Sequence, residues 1–109
     1  MATTMYMEWP GVTQEQYNRV MNLLGLDANP PKGGIFHVAG FSGGALRVID
    51  IWESQQDFER FQKDRLATAV QKAGITSQPR VEFFPTHNIY APNIEAVTRL
   101  GRTSQPVAA

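Results

Sequence analysis

The fold of this chain is decided by residues 33–54, which read GGIFHVAGFSGGALRVIDIWES. Two apolar runs, residues 35–41 and 46–52, flank Gly43 and Gly44, and a Gly-Gly pair between such runs is a strong signal for a β-hairpin with a tight turn. A hairpin strand usually carries polar side chains on the face that meets water. Here both faces are apolar, so we expect helices to cover one side of the sheet and a second copy of the chain to cover the other.

The segments around this hairpin complete a repeating order of strands and helices. Residues 4–9 form a short strand, and Thr13 with Gln16 makes the capping box that opens a helix. Ser54 caps a second helix, and residues 80–84 form a last strand between two prolines. The order predicts an α+β, ferredoxin-like βαββαβ fold with a four-stranded antiparallel sheet and both helices on one face.

Length and composition limit the classes of protein that fit. The 109 residues form one domain, which we place at residues 1–90, and the C-terminal tail, residues 91–109, is expected to pack on that domain or on a partner. Ten basic residues balance ten acidic ones, so no charged patch for nucleic acid or a membrane surface is predicted. The absence of cysteine, of an export signal and of a membrane-spanning run predicts a cytoplasmic protein without disulfides.

A family resemblance rests on the hairpin and on the helix that follows it. Residues 37–40 and 47–54, followed by Phe58 and Phe61, resemble the dimeric α/β-barrel superfamily, and within it small uncharacterised bacterial members related to antibiotic-biosynthesis monooxygenases. The most specific part is the junction Trp52-Glu53-Ser54. The resemblance covers residues 3 to about 90 and implies a homodimer in which two sheets join into a barrel, with small-molecule pockets between sheet and helices.

Two departures from the family pattern bear on activity. Quinone-forming members carry an Asn four residues before the tryptophan, where this chain has Val48. Haem-degrading relatives carry an iron-binding His ten residues beyond the tryptophan, where this chain has Gln62. Each of these chemistries therefore lacks one of its groups here, and fold alone does not fix function.

Several residues are candidates for binding a small molecule. Trp52 is predicted either to form a pocket wall or to fill the core, with Val48 on the same strand face. Arg65 and Gln62 share the apolar half of the second helix with Phe61. Arg65 is predicted to meet an anionic or phenolate ligand, to partner Asp50, or to lay its stem on the core with its charge in water.

The hairpin register decides whether a candidate base exists. If Gly43 and Gly44 are the whole loop, His37 lies opposite Asp50 and Ile35 lies opposite Trp52, all on one sheet face. A carboxylate beside the imidazole would hold it in one tautomer, as a general base requires. Alternatively, the two groups only satisfy each other's hydrogen bonds. The only other histidine is His87, and two isolated histidines make a poor metal site, so no metal or cofactor is predicted.

Two functions remain open on these grounds. One is a small-molecule enzyme resembling cofactor-independent monooxygenases, acting on an apolar aromatic compound. The other is a non-catalytic ligand-binding or accessory protein on the same dimeric scaffold. Both predict a homodimer through the sheet face turned away from the helices, for which the sequence suggests Ile49, Ile51, Val81 and Phe83.

Overall fold

The chain folds around a four-stranded antiparallel sheet, seen here in a computed structural model that describes residues 1–101. The strands lie in the order β2-β3-β1-β4, so β1 and β3 are central. This order confirms the predicted ferredoxin-like α+β architecture. The strands comprise β1 (Thr3–Pro10), β2 (Gly34–Ser42), β3 (Ala45–Trp52) and β4 (Arg80–Pro85).

The helices that precede residue 73 pack on one face of this sheet. The predicted capping box of α1 is confirmed, because Thr13 accepts from the Gln16 backbone while the Gln16 side chain accepts from the Thr13 backbone. The predicted second helix is one helical run with a π-helical turn, Gln62–Leu66, in its middle. The α-helices comprise α1 (Gln14–Leu24), α2 (Gln55–Phe61), α3 (Ala67–Lys72) and α4 (Ile94–Leu100).

The hairpin has the predicted two-residue loop. Gly43 and Gly44 have φ of +62° and +75°, which only glycine adopts without strain, and the register places His37 opposite Asp50 as predicted. The predicted pairing of Ile35 with Trp52 is wrong, because a bulge at this end puts Gly34 opposite Trp52 instead. Gly34 fits there because a Cβ at this position would lie 2.9 Å from the Pro31 ring.

The two faces of the sheet differ in burial. The helix-facing side carries the buried core, which includes Met5, Met7, Trp9, Leu46, Val48 and Trp52. The other side, which we call the outer face, is exposed and carries Val38, Ile49 and Phe84 at 47, 44 and 46 % exposure. Ion pairs among Glu8, Arg47 and Arg80 occupy one end of it.

Two residues predicted for the outer face lie on the opposite side. Phe83 and Val81 pair with the core residues Met5 and Met7, and directly opposed residues share a face, so both point toward the helices. Phe83 packs on the ring of Phe58, with 5.7 Å between ring centroids. The prediction for these two was wrong because β4 is apolar at neighbouring positions, and only its register against β1 decides which of them faces inward.

The described part of the tail is one short helix. Asn93 caps α4, whose residues Ile94 and Leu100 are 67 and 77 % exposed and so bury little of their apolar surface on this domain. The predicted packing on a partner stays a prediction, and residues 102–109 lie outside the described residues. Within residues 1–101, no helix has the length and apolar character needed to cross a membrane.

Candidate functional site

An apolar cavity of about 280 Å³ lies between the sheet and the helices. Side chains from β1, β3, α1 and α2 line it together with the segment that leads into β2, because every second strand residue points toward the helices that lie above the sheet. This volume is near the lower end of the range of about 300–1,000 Å³ that is usual for small-molecule sites. The wall includes Met5, Met7, Val48, Trp52, Phe58 and Phe61.

Four polar groups form a hydrogen-bonded chain along this wall, which we call the polar chain. The Trp52 indole Nε1 lies 3.1 Å from Asp50 Oδ2, and Asp50 Oδ1 lies 2.6 Å from His37 Nδ1. His37 Nε2 lies 2.6 Å from the Tyr17 hydroxyl oxygen. Asp50 is 7 % exposed, and a buried carboxylate requires such partners because its desolvation is costly.

Each member of the polar chain is placed by its own element. Trp52 and Asp50 are two residues apart on β3 and therefore share a face, and the hairpin register brings His37 of β2 beside them. Tyr17 stands in the first turn of α1, where its backbone N–H donates to the carbonyl of the cap residue Thr13. The Tyr17 ring stacks nearly parallel to the His37 ring, with centroids 6.1 Å apart.

The surroundings of Tyr17 keep its phenol protonated. Burial raises the pKa of Tyr17 from 10.0 to about 12, and the negative charge of Asp50 adds to the shift. Since this pKa lies far above neutral pH, the hydroxyl group carries its proton under ordinary conditions. It therefore has a hydrogen to donate toward His37.

The cavity wall contains some of the predicted ligand-binding residues and not others. Val48, Trp52 and Phe61 line it. Arg65 does not, because its guanidinium donates to the Leu24 carbonyl at 2.9 Å and lies 5.4 Å from the centre of the Phe61 ring, where it ties the π-helical turn to the end of α1. Gln62 is exposed at the start of that turn.

Tyr17 was not predicted as part of the site. Its spacing on α1 places it among apolar residues that face the sheet, which indicated only core packing. A signal was nevertheless present, because a buried tyrosine normally requires a hydrogen-bond partner for its hydroxyl group. Which partner it finds depends on how α1 lies over β2, and the sequence does not specify that.

No cluster of three or more His, Asp or Glu side chains that could hold a metal ion occurs in the described residues.

Comparisons with known proteins identify the fold. No family model matches this chain, and no curated protein matches it. Solved structures do match over most of its length. A protein of unknown function from Nitrosomonas europaea has 15 % identity and a TM-score of 0.62, with 84 % of this chain and 94 % of that chain covered.

Two further matches are enzymes. The cofactor-independent oxygenase SnoaB from Streptomyces nogalater, in a mutant form, has 10 % identity and a TM-score of 0.58, covering 81 % of this chain and 95 % of that one. A monooxygenase from Streptomyces coelicolor in complex with nanaomycin D has 16 % identity and a TM-score of 0.57, covering 84 % and 92 %. The chain thus shares the ferredoxin-like fold of these solved structures.

Proposed function

We propose that this chain is a small-molecule enzyme of the cofactor-independent monooxygenase type, acting on an apolar aromatic compound in the cavity. The observation that carries this proposal is the polar chain Tyr17–His37–Asp50 on the wall of an otherwise apolar cavity. The fold shared with an oxygenase and a monooxygenase supports the reaction class. It does not supply the catalytic groups, since Val48 and Gln62 replace the residues of known chemistries.

The reaction that fits such a site needs a base and dioxygen. An activated CH₂ group of the aromatic substrate loses a proton to the polar chain, and the carbanion passes electrons to dioxygen. The resulting hydroperoxide loses water and leaves a ketone, so that R₂CH₂ + O₂ gives R₂C=O + H₂O. In this scheme His37 holds the proton and Asp50 stabilises the imidazolium, as a buried carboxylate does beside a catalytic histidine.

The apolar wall contributes by binding the ring system and excluding water. Trp52 and Phe61 lie with ring centroids 5.4 Å apart and offer aromatic surface to a planar substrate. Exclusion of water strengthens the electrostatic stabilisation of a carbanion and prevents its early reprotonation. Val48 offers only apolar contact, so recognition of substrate polar atoms falls to the polar chain.

A non-catalytic ligand-binding or accessory role is the second candidate. The observation that favours it is that both ring nitrogens of His37 and both carboxylate oxygens of Asp50 already have hydrogen-bond partners within the protein. Groups satisfied in this way also occur as purely structural networks. In that case the cavity would bind an apolar compound without converting it.

We also propose that the chain forms a homodimer through the outer face. The exposed apolar residues Val38, Ile49 and Phe84 on this face support it, because exposed apolar patches on monomers are usually small. The cytoplasmic location stays a prediction from the sequence.

Oxygen consumption separates the two functions. Purified protein is incubated with a panel of quinols and aromatic polyketides, and dioxygen uptake and thermal shift are measured for each compound. We expect at least one compound to cause both, and His37→Ala to abolish uptake. The exposed His87 lies outside the polar chain, so His87→Ala serves as the matched control and should retain uptake.

Two other outcomes would contradict the enzyme or the role of His37. A thermal shift without oxygen uptake for every compound would support the ligand-binding candidate and contradict the enzyme. Uptake that survives His37→Ala would show that the histidine is structural.

A further inference from the structure

We infer that Tyr17 is the group that exchanges a proton with the bound ligand, that His37 receives this proton only through Tyr17, and that Trp52 is the positioning residue that fixes the direction of the polar chain. The chemical step rests on the proposed function. The direction of the hydrogen bonds rests only on the contacts within the protein.

The direction of the hydrogen bonds follows from which atoms can donate a hydrogen. An indole Nε1 can only donate, so Trp52 donates to Asp50 Oδ2. A carboxylate can only accept, so the short contact at Asp50 Oδ1 requires a hydrogen on His37 Nδ1. The neutral imidazole then carries its lone pair on Nε2, which accepts from the Tyr17 hydroxyl at 2.6 Å.

With the hydrogen bonds of the polar chain in this direction, His37 has no free basic atom. Its Nε2 lone pair is occupied by the Tyr17 hydrogen, whereas the hydroxyl oxygen of Tyr17, a residue of the cavity wall, keeps its own lone pairs. When a ligand C–H or O–H bond breaks, its proton binds the Tyr17 oxygen while the original Tyr17 proton moves to Nε2. The ligand gains one negative charge, the imidazole gains one positive charge, and Tyr17 stays a neutral phenol.

Two further observations fit this relay. The high pKa of Tyr17 disfavours a lasting phenolate, so the phenol passes a proton on without storing charge. The His37 side chain is 38 % exposed. His37 and Tyr17 also line a second hollow, whose wall includes Leu100. Because Tyr17 lines both the cavity and this hollow, the imidazolium can return its proton to solvent by the reverse relay through the Tyr17 hydroxyl group.

Tyr17→Phe tests the relay through turnover. This change keeps the ring that packs on His37 and removes only the hydroxyl group. We expect oxygen uptake to fall by roughly 100-fold or more, the range of a lost acid–base group, with KM for an apolar substrate little changed. Retained or increased uptake would overturn the relay, because an uncapped Nε2 would then act as the base directly.

The tautomer of His37 tests the direction without any turnover. ¹⁵N NMR of the imidazole, at a pH where it is neutral, should show the hydrogen on Nδ1 in the unaltered protein. In Asp50→Asn the single amide oxygen is taken by the Trp52 indole, so the NH₂ group faces Nδ1 and the hydrogen should move to Nε2. Adding Trp52→Phe frees the amide oxygen and should return the hydrogen to Nδ1.

The turnover experiment and the NMR experiment test different parts of this inference. A hydrogen on Nε2 in the unaltered protein would overturn the assigned direction even if no variant folds, and an unchanged tautomer in Asp50→Asn would overturn the role of Trp52. If no compound supports oxygen uptake, the proposed function fails while the NMR result still decides the direction. If the unaltered protein and Tyr17→Phe turn over equally, the relay fails while the proposed function stands.

Discussion

Among single residues, Tyr17 has a pKa well above that of a tyrosine in water. Its pKa of about 12 should be visible directly, because phenolate absorbs in the near ultraviolet. In a spectrophotometric titration of the folded protein we expect one tyrosine to ionise near pH 12, and we expect Tyr17→Phe to remove that step. Tyr90 is 81 % exposed, so Tyr90→Phe is the control that should leave the late step in place.

The same pKa predicts how stability depends on alkaline pH. Between pH 10 and 12 the folded protein keeps the Tyr17 proton while the unfolded chain loses it, so the free energy of unfolding falls as pH rises through this window. Because Tyr17 is partly exposed, we expect a contribution of only about 1–2 kcal/mol, less than the full difference in pKa would give. Urea unfolding at pH 9 and pH 11.5 should show a smaller loss for Tyr17→Phe than for the unaltered protein. An equal loss would contradict the assigned pKa.

At this scale the sequence predicted three of the four residues of the polar chain, His37, Asp50 and Trp52, as site residues. His37 and Asp50 were predicted together because a two-residue loop and the alternation of a strand determine which side chains are neighbours. Tyr17 was missed, and the contact of Arg65 with the Leu24 carbonyl was not predicted, because both depend on how helices lie over other elements. No local sequence pattern encodes how a helix lies over another element.

At the scale of elements, the β2–β3 hairpin positions the candidate site. Its register keeps His37 beside Asp50, and a shift by one residue would turn them to opposite faces. The Gly43-Gly44 turn could be recognised from sequence. The bulge beside Gly34 could not, because Gly34 comes close to both Pro31 and Trp52 only in the folded protein, where an added Cβ would lie 2.9 Å and 3.5 Å from their rings.

Substitution at Gly44 should test this turn. Gly44 has φ of +75° and no neighbouring atom within 4 Å of an added Cβ, so Gly44→Ala meets backbone strain without a clash. We expect a loss of about 1–2 kcal/mol in the free energy of unfolding, measured in urea. Gly44→Asn is the control at the same position, and it should lose less because asparagine tolerates this conformation. Equal losses for the two variants would argue against strain as the cause.

At the scale of the whole molecule, the outer face is an exposed apolar surface. Because the hairpin strands are apolar on both faces, the sequence predicted this surface. The structure places Ile49 between Val38 and Tyr6 at its centre. The contribution of β4 could not be predicted, because Phe83 and Phe84 are adjacent and chemically equivalent. Only pairing with β1 assigns Phe84 to the outer face.

A charge at the centre of this face should separate the proposed dimer. Light scattering at micromolar concentration is expected to give a dimer for the unaltered protein and a monomer for Ile49→Asp, because burying an unpaired carboxylate is costly. Leu23 on α1 is 42 % exposed, close to the 44 % of Ile49, so Leu23→Asp is the matched control and should remain dimeric. An unaltered protein that is monomeric would contradict the dimer, as would an Ile49→Asp variant that stays dimeric.

An NMR titration without dioxygen shows whether an aromatic compound in the cavity contacts the polar chain. Naphthohydroquinone and other members of the quinol panel are added anaerobically, so that binding is seen without turnover. We expect saturable shifts in the signals of Tyr17, the His37 ring and the Trp52 indole N–H, with the His87 signal unchanged. Saturable binding that leaves these three signals in place and shifts residues of the outer face, or no binding by any member of the panel, would contradict this expectation.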